Sequence, residues 1–384
     1  MVKLSLTSIA LLSLSLLCGC GSGAPESLLK KGLAGFERED YSKAIHLLTK
    51  ASKEIKNSEE LYYTLGLSYL HLGDMDKALD ALNKTLDLNP THYESLICCG
   101  QIAYHKNELD SARKYYGLVL EMADDANKRA VLFTSMALAE SGLKNKRTAR
   151  LYLIRALDCD RSYAPAYYNL ATLYRDKFGF LEEALHYFEK FIEFADEDDA
   201  HFDKAEKHIK RLRDNLARKD AKVKIKRDAE KAFKLLREGV VHQTEKNYRD
   251  AIKSYDAALR ADPFAFSAAY GRAMAWQKLN NSREALKAFK KAVEINPDHR
   301  DSYARAVTIA LQLKRYSEGL ALLDKAIART PDYPSWYDLM ARILFGQEKY
   351  VEARKYGEHY ISMLDPADAD KAAYEEWVKS IPES

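Results

Sequence analysis

The sequence predicts an all-α solenoid of helix-turn-helix pairs, arranged as two arrays joined by a long charged helical connector. Three observations point there. Gly and Pro are scarce, 16 and 9 in 384 residues, which favours helices linked by short turns over turn-rich sandwiches and barrels. Small residues return every 34 positions, as Ala44, Ala78 and Ala112 and again as Ala251, Ala285, Gly319 and Ala353, with Ala149 and Ala184 at slightly longer steps. A bulky residue follows each four positions later, at Leu48, Leu82, Tyr116, Leu153, Phe188, Tyr255, Phe289 and Leu323 but not at Gly357. Together with a third recurring position seven after the small one, these offsets trace one face of a helix. Apolar residues are 47% and the net charge is +3, which excludes a disordered polyampholyte and a multi-span membrane protein and gives no reason to expect nucleic acid.

The first element is an address. After Lys3, the 14 residues from Leu4 to Leu17 are Leu, Ile, Ala, Ser and Thr only, the length of a signal-peptide apolar region and short of a bilayer span. The run Leu17-Cys18-Gly19-Cys20 resembles a bacterial lipoprotein box, with Cys18 departing from the small residue usual at that place. The resemblance implies a signal peptide over 1–19, lipidation of Cys20, and a tether over 20–25. It also implies a lipid-anchored protein of the bacterial cell envelope. No Asp follows the cysteine, which by the same resemblance implies the outer membrane, facing the periplasm.

The second element is the repeat. Twelve residues before most of the small positions stands another small one: Gly32, Gly66, Gly100, Ala137, Gly239, Ala273 and Ala341, with Ala171 thirteen before. One stretch reads Tyr62, Leu65, Gly66, Tyr69, Ala78, Leu82, Pro90, and another Tyr167, Leu170, Ala171, Tyr174, Ala184, Phe188 with one extra residue near Gly179. This resembles the tetratricopeptide repeat, and the resemblance implies stacked antiparallel helices A and B with helix A lining a concave side. About five repeats fill 26–197 and about four fill 232–366, the later ones closed by Pro263, Pro297 and Pro331.

Between the arrays, 198–231 reads as a capping helix and basic connector, and 367–384 as a second capping helix and tail. From Asp203 to Arg237 there are 14 Lys+Arg against 6 Asp+Glu. That run is either a solvated helix face or a patch for anionic headgroups, an acidic partner or a cell-wall polymer.

The sequence carries no zinc-protease, serine-hydrolase, P-loop or dinucleotide motif. No catalysis, cofactor or metal is expected. Cys98 and Cys99 read as small core residues, and His71 and His105, 34 apart, as groove residues. The family's ligand positions, carried onto helix A, place Leu29, Leu33, Tyr63, Leu67, Ile97, Gln101, Tyr104, Tyr168, Thr172 and Arg175 on the first wall. On the second wall they place Tyr270, Met274 and Arg342, with Gln277 and Asp338 beside them. The Lys/Asn/Arg set that clamps a C-terminal carboxylate in chaperone-binding members is absent, apart from Asn169.

The expected function is therefore a lipid-anchored adaptor that binds envelope proteins or peptides through its concave surfaces. The alternative is a periplasmic carrier of a small hydrophobic ligand serving a transporter. A fragment ending at Lys219 is expected to fold by itself.

Overall fold

A computed structural model describes residues 25–221 and 228–383. Cys20, the signal segment and residues 222–227 of the connector lie outside the described residues. Among those described there are helices and short turns, and no strand.

The chain divides into two compact units, one through Met122 and one from Ala123 on. The first holds three antiparallel pairs: α1 (Pro25–Glu37) with α2 (Tyr41–Ala51), α3 (Glu59–His71) with α4 (Met75–Leu88), and α5 (Tyr93–His105) with α6 (Leu109–Met122). The second opens with α7 (Ala126–Gly142) and α8 (Lys146–Cys159), then α9 (Ala164–Leu173) and α10 (Leu181–Phe194), closed by α11 (Phe202–Ala221). It continues with α12 (Ala229–Thr244) and α13 (Tyr248–Ala261), and with α14 (Phe266–Lys278) and α15 (Ser282–Ile295). Two further pairs follow, α16 (Arg300–Gln312) with α17 (Tyr316–Arg329) and α18 (Ser335–Gly346) with α19 (Tyr350–Met363), and α20 (Lys371–Ser380) ends the chain. The division into units thus falls three repeats into the first array, away from the 198–231 connector by which the sequence separates the arrays.

Each A helix ends in the same turn. A left-handed residue follows it, and nine such positions recur: Glu39, Gly73, Asn107, Lys144, Gly179, Lys246, Asn280, Lys314 and Glu348. Each lies five before the small residue of helix B. The next amide reaches back to close the helix, as in Asp40 N–H to the Gly35 carbonyl at 2.9 Å and Arg315 N–H to that of Ala310 at 2.8 Å, the Schellman arrangement. In the fifth repeat the extra residue is absorbed by a π-turn over Tyr174–Phe178, with Phe180 N–H reaching the Tyr174 carbonyl at 3.0 Å.

Packing explains the small residues. A methyl group at Gly32, Gly66, Gly100 or Gly239 lands 2.5–2.8 Å from Leu48, Leu82, Tyr116 or Tyr255. Helix A lacks a side chain where the bulky residue of helix B arrives. Gly357, which breaks the bulky pattern, faces Val378 of the terminal cap at 2.6 Å from its would-be methyl. Both caps are seated by their own apolar stripes, Ala205 and Leu212 in α11 and Tyr374 and Val378 in α20.

The second unit contains an interface that the repeat pattern does not announce. One face of α8 (Arg147, Arg150, Leu151, Ile154) is turned to α17 and α19, so Leu151 and Ile154 share a core with Leu323, Tyr337 and Tyr356. Arg150 is fully buried. Its guanidinium donates to the Asp324 carboxylate at 3.0 Å and to the Asp324 carbonyl at 3.1 Å, and stands over the Phe178 ring at 5.0 Å. Burial pulls the Arg150 pKa down, and Asp324 more than restores it, so the group stays cationic. Arg147 holds the same carboxylate through two nitrogens at 2.8–3.0 Å. Lys355 meets buried Glu140 at 3.1 Å, and the Tyr356 hydroxyl donates to the Arg147 carbonyl at 2.8 Å. Repeats four and five are therefore packed on the second array, and a fragment ending at Lys219, expected to fold by itself, leaves this face of α8 bare.

Two measurements check this packing. Gly100→Ala is expected to destabilise the first unit by about 1–3 kcal/mol through overpacking on Tyr116. Gly117→Ala, where nothing lies within 4 Å of the added methyl, should stabilise α6 by roughly 0.5–1 kcal/mol; equal denaturation midpoints for the two variants contradict the crossing. Asp324→Ala should cost about 3–5 kcal/mol by leaving Arg150 charged and unpaired, and the apolar pair Arg150→Met with Asp324→Leu should recover most of it. An unchanged urea midpoint for Asp324→Ala sets the interface aside.

Candidate functional site

Helix A of each pair carries the candidate binding positions, at offsets of 15, 11 and 8 before the small residue of helix B, each one longer in the fifth repeat. In the first unit Leu29 and Leu33 are half-buried against the first core cluster. Tyr63 is half-buried, its ring 4.8 Å from that of His92, and burial raises its phenol pKa. Ile97, Gln101 and Tyr104 continue the wall on α5, each partly exposed. Leu67 departs from the expectation: it is 2% exposed and packs with Ala78, Leu82 and Cys98, so it has no surface to offer a ligand. The histidines do not meet as a pair in the contacts they make. His71 stacks on Tyr41 at 4.1 Å, and His105 meets Tyr104 edge-on.

The thiols of Cys98 and Cys99 are buried and free, and burial pushes both up to about 12. That is the chemistry of small core residues. Among the described residues no group of three or more His, Cys, Asp or Glu is placed to hold a metal ion, and no helix is long and apolar enough to cross a membrane.

In the second unit Tyr168 is wedged among Phe188, Phe191 and His201, with ring centres 4.5–5.7 Å apart. Thr172 donates back to the Tyr168 carbonyl. Arg175, set by the π-turn, pairs with Asp176 at 2.6 Å and lies over the Phe188 ring. These three belong as much to the packing of α9 on α10 as to an open wall.

The later repeats carry a polar wall. The Tyr270 hydroxyl donates to Asp301 at 2.5 Å. Arg305 donates to the same carboxylate at 2.6 Å and to Gln277 at 3.2 Å. Beside them a cavity of about 240 Å³ is lined by Gln277, Ala304, Arg305, Thr308, Ile309 and Gln312. Met274 packs on the core beneath. Arg342 pairs with Asp338 at 2.6 Å and covers the rings of Tyr374 and Trp377.

Sequence reasoning missed Asp301 and Arg305, and with them the side chains of α12. Leu236 and Val240 stand 15 and 11 before Ala251, the offsets of the wall residues above, so applying those offsets to the sixth repeat finds them; Phe233 stands 18 before Ala251, as Asp301 does before Gly319. Phe233 is 61% and Val240 47% exposed.

Tetratricopeptide repeat profiles match residues 59–92, 164–198, 236–300 and 278–343. The chain is 36% identical over 80 residues to the BBSome complex member BBS4 of Bos taurus, which is 21% of this chain and 15% of that protein. It is 30% identical over 112 residues to the photosystem I assembly protein Ycf3 of Acaryochloris marina, 27% of this chain and 65% of that one. It therefore spans less than two thirds of either relative. Among solved structures, MamA of Desulfovibrio magneticus is similar at a TM-score of 0.42 and 20% identity, covering 46% of this chain and 97% of that one. With helix pairs recurring at about 34 residues, small-on-bulky crossings at Gly32, Gly66, Gly100 and Gly239 and family matches on four stretches, the chain is a tetratricopeptide repeat protein.

Proposed function

We propose that this protein is a lipid-anchored adaptor of the bacterial cell envelope that binds protein or peptide partners through its helix-A walls, and that its role is binding rather than catalysis. The observation that carries the reading is the row of partly exposed aromatic, aliphatic and polar side chains along successive A helices: Tyr63, Ile97, Gln101 and Tyr104 in one unit, Tyr270, Gln277 and Arg305 in the other. Such walls suit extended or helical segments with apolar anchors. The relatives support it in kind, one being an assembly protein and the other a member of a complex. Lipid anchorage rests on Leu17-Cys18-Gly19-Cys20, two or more acyl chains being needed for stable attachment. A carrier of hydrophobic ligands fits less well, because Gln277, Arg305, Thr308 and Gln312 stand beside Ala304 and Ile309 in the cavity and a wholly apolar ligand leaves their polar groups unpaired.

Cys20→Ser is expected to abolish palmitate labelling and release the protein from membranes, while Cys18→Ser leaves both unchanged; label retained by the Cys20 variant removes the anchor. Tyr63→Ala with Tyr104→Ala should lower partner recovery from detergent-solubilised envelopes roughly tenfold, as loss of aromatic anchors does. Undiminished recovery by that variant moves the binding surface off the first wall.

A further inference from the structure

The two groups of repeats in the second unit meet at one seam. At 17 and 13 positions before the small residue of helix B, α3 buries Leu61 and Leu65, α16 Ser302 and Ala306, and α18 Trp336 and Met340, whereas α12 carries exposed Lys234 and Glu238. A helix charged on that face is the start of an array rather than a link in one. Among the described residues, the closest helix-on-helix packing between repeats four and five and the second array is that of α8 on α19. Arg329 of α17 adds ion pairs to Glu182 and Glu183 of α10 at 2.8 and 3.3 Å.

One group in the seam is held neutral. His359 of α19 is 1% exposed, and its Nε2 is buried without a hydrogen-bond partner. Tyr337 of α18 meets the imidazole at right angles with ring centres 4.4 Å apart, and Ser362 Oγ lies 3.5 Å from Nδ1. From across the seam α8 presents the half-exposed Asp158 carboxylate, 3.9 Å from Nε2, and the Arg155 guanidinium, which opposes a proton on the ring. Arg155 and Arg161 already act on that carboxylate, with Asp332 of the α17–α18 turn beyond it. On α19 itself, Glu358 lies within Coulombic reach of Arg155, and Lys355 is engaged by Glu140. A proton on Nε2 therefore sets a second cation beside Arg155 in a place with little water to solvate it. Burial, with Arg155, holds the imidazole pKa down to about 3.

We infer that the seam is an acid-released clasp, in which protonation of His359 parts repeats four and five from the second array. Freed from the seam, the imidazole titrates near 6.5. The closed form, which holds it neutral, is at full strength above that pH and keeps the unit one body; it weakens as the pH falls. At pH 5 the ratio of closed to open is lower than at pH 7.5 by about 30-fold. Asp158, whose pKa burial raises, works against this only where carboxylates take up protons, below about pH 5.

The test is hydroxyl-radical footprinting of the full chain between pH 7.5 and pH 5, read as oxidation rates by mass spectrometry. Tyr337 and Tyr356 report the seam, and Tyr116 and Tyr255, buried at helix crossings, report unfolding of the pairs. Seam oxidation should rise by up to about 30-fold toward pH 5 while the crossing tyrosines stay protected, and His359→Gln should flatten that rise. Asp324→Ala should raise seam oxidation already at pH 7.5. Asp158→Asn, on a half-exposed side chain, should leave the acid rise in place and keeps the test open if the glutamine variant does not fold. A flat wild-type profile beside a raised Asp324→Ala one overturns the proposal, as does a rise that His359→Gln retains. So does oxidation that falls with acid and no longer does so in Asp158→Asn, which makes His359 and Asp158 an ion pair that tightens the seam. Seam and crossing tyrosines rising together overturn it as well, since the unit then unfolds instead of opening.

Discussion

Two helices come close only where one of them surrenders its side chain. In this chain that constraint is met by glycine or alanine on helix A opposite a leucine or tyrosine on helix B, as in Gly66 against Leu82 and Gly239 against Tyr255. The tight crossing sets the angle of the pair, and the angle sets which residues of helix A are left facing outward. The candidate walls therefore follow from the crossing: Tyr63 and Tyr270 point where they do because the small residue one turn further along, Gly66 or Ala273, lets helix B in behind them.

Much of this was legible in the sequence, because a repeated contact writes itself as a repeated spacing. The recurring small residue marked nine helix pairs among the described residues, eight of them with the bulky residue four positions on, and a capping helix was expected after each array. The turn residues were less so: a left-handed position is filled by Glu, Lys, Asn or Gly here, so it has no single letter to search for. The exposure of individual wall residues was not legible either. Leu67 and Tyr63 occupy neighbouring ligand offsets on α3, and only the packing of α4 and α5 decides that one is buried and the other half-open.

The contact between α8 and the second array left a different trace. In α8 the run from Thr148 to Ile154 is buried at every position, and a helix buried all round has neighbours on every side. Leu151 and Ile154 could have signalled it, since the matching places in the second repeat are Asp80 and Asn83. Arg147 and Arg150 hid the signal, because charged residues on a helix read as solvated. Here they are drawn inside by one carboxylate, Asp324, 174 residues from Arg150 in sequence. Stability that is otherwise local to neighbouring repeats becomes shared between segments far apart in the chain, and the second unit is bound to unfold as one body rather than fray from an end.

The π-turn at Tyr174–Phe178 bears on how such a chain changes over time. One extra residue sits between the small positions of the fifth repeat, yet Ala171 and Ala184 are both fully buried at their crossing, and the surplus is spent as a single widened loop of backbone. Length differences of one residue are thus corrected on the spot, before they can rotate the next helix. An extra residue near the turn between helices thus leaves the crossing intact, whereas the same insertion placed within helix B would turn its bulky residue away from the small residue that faces it.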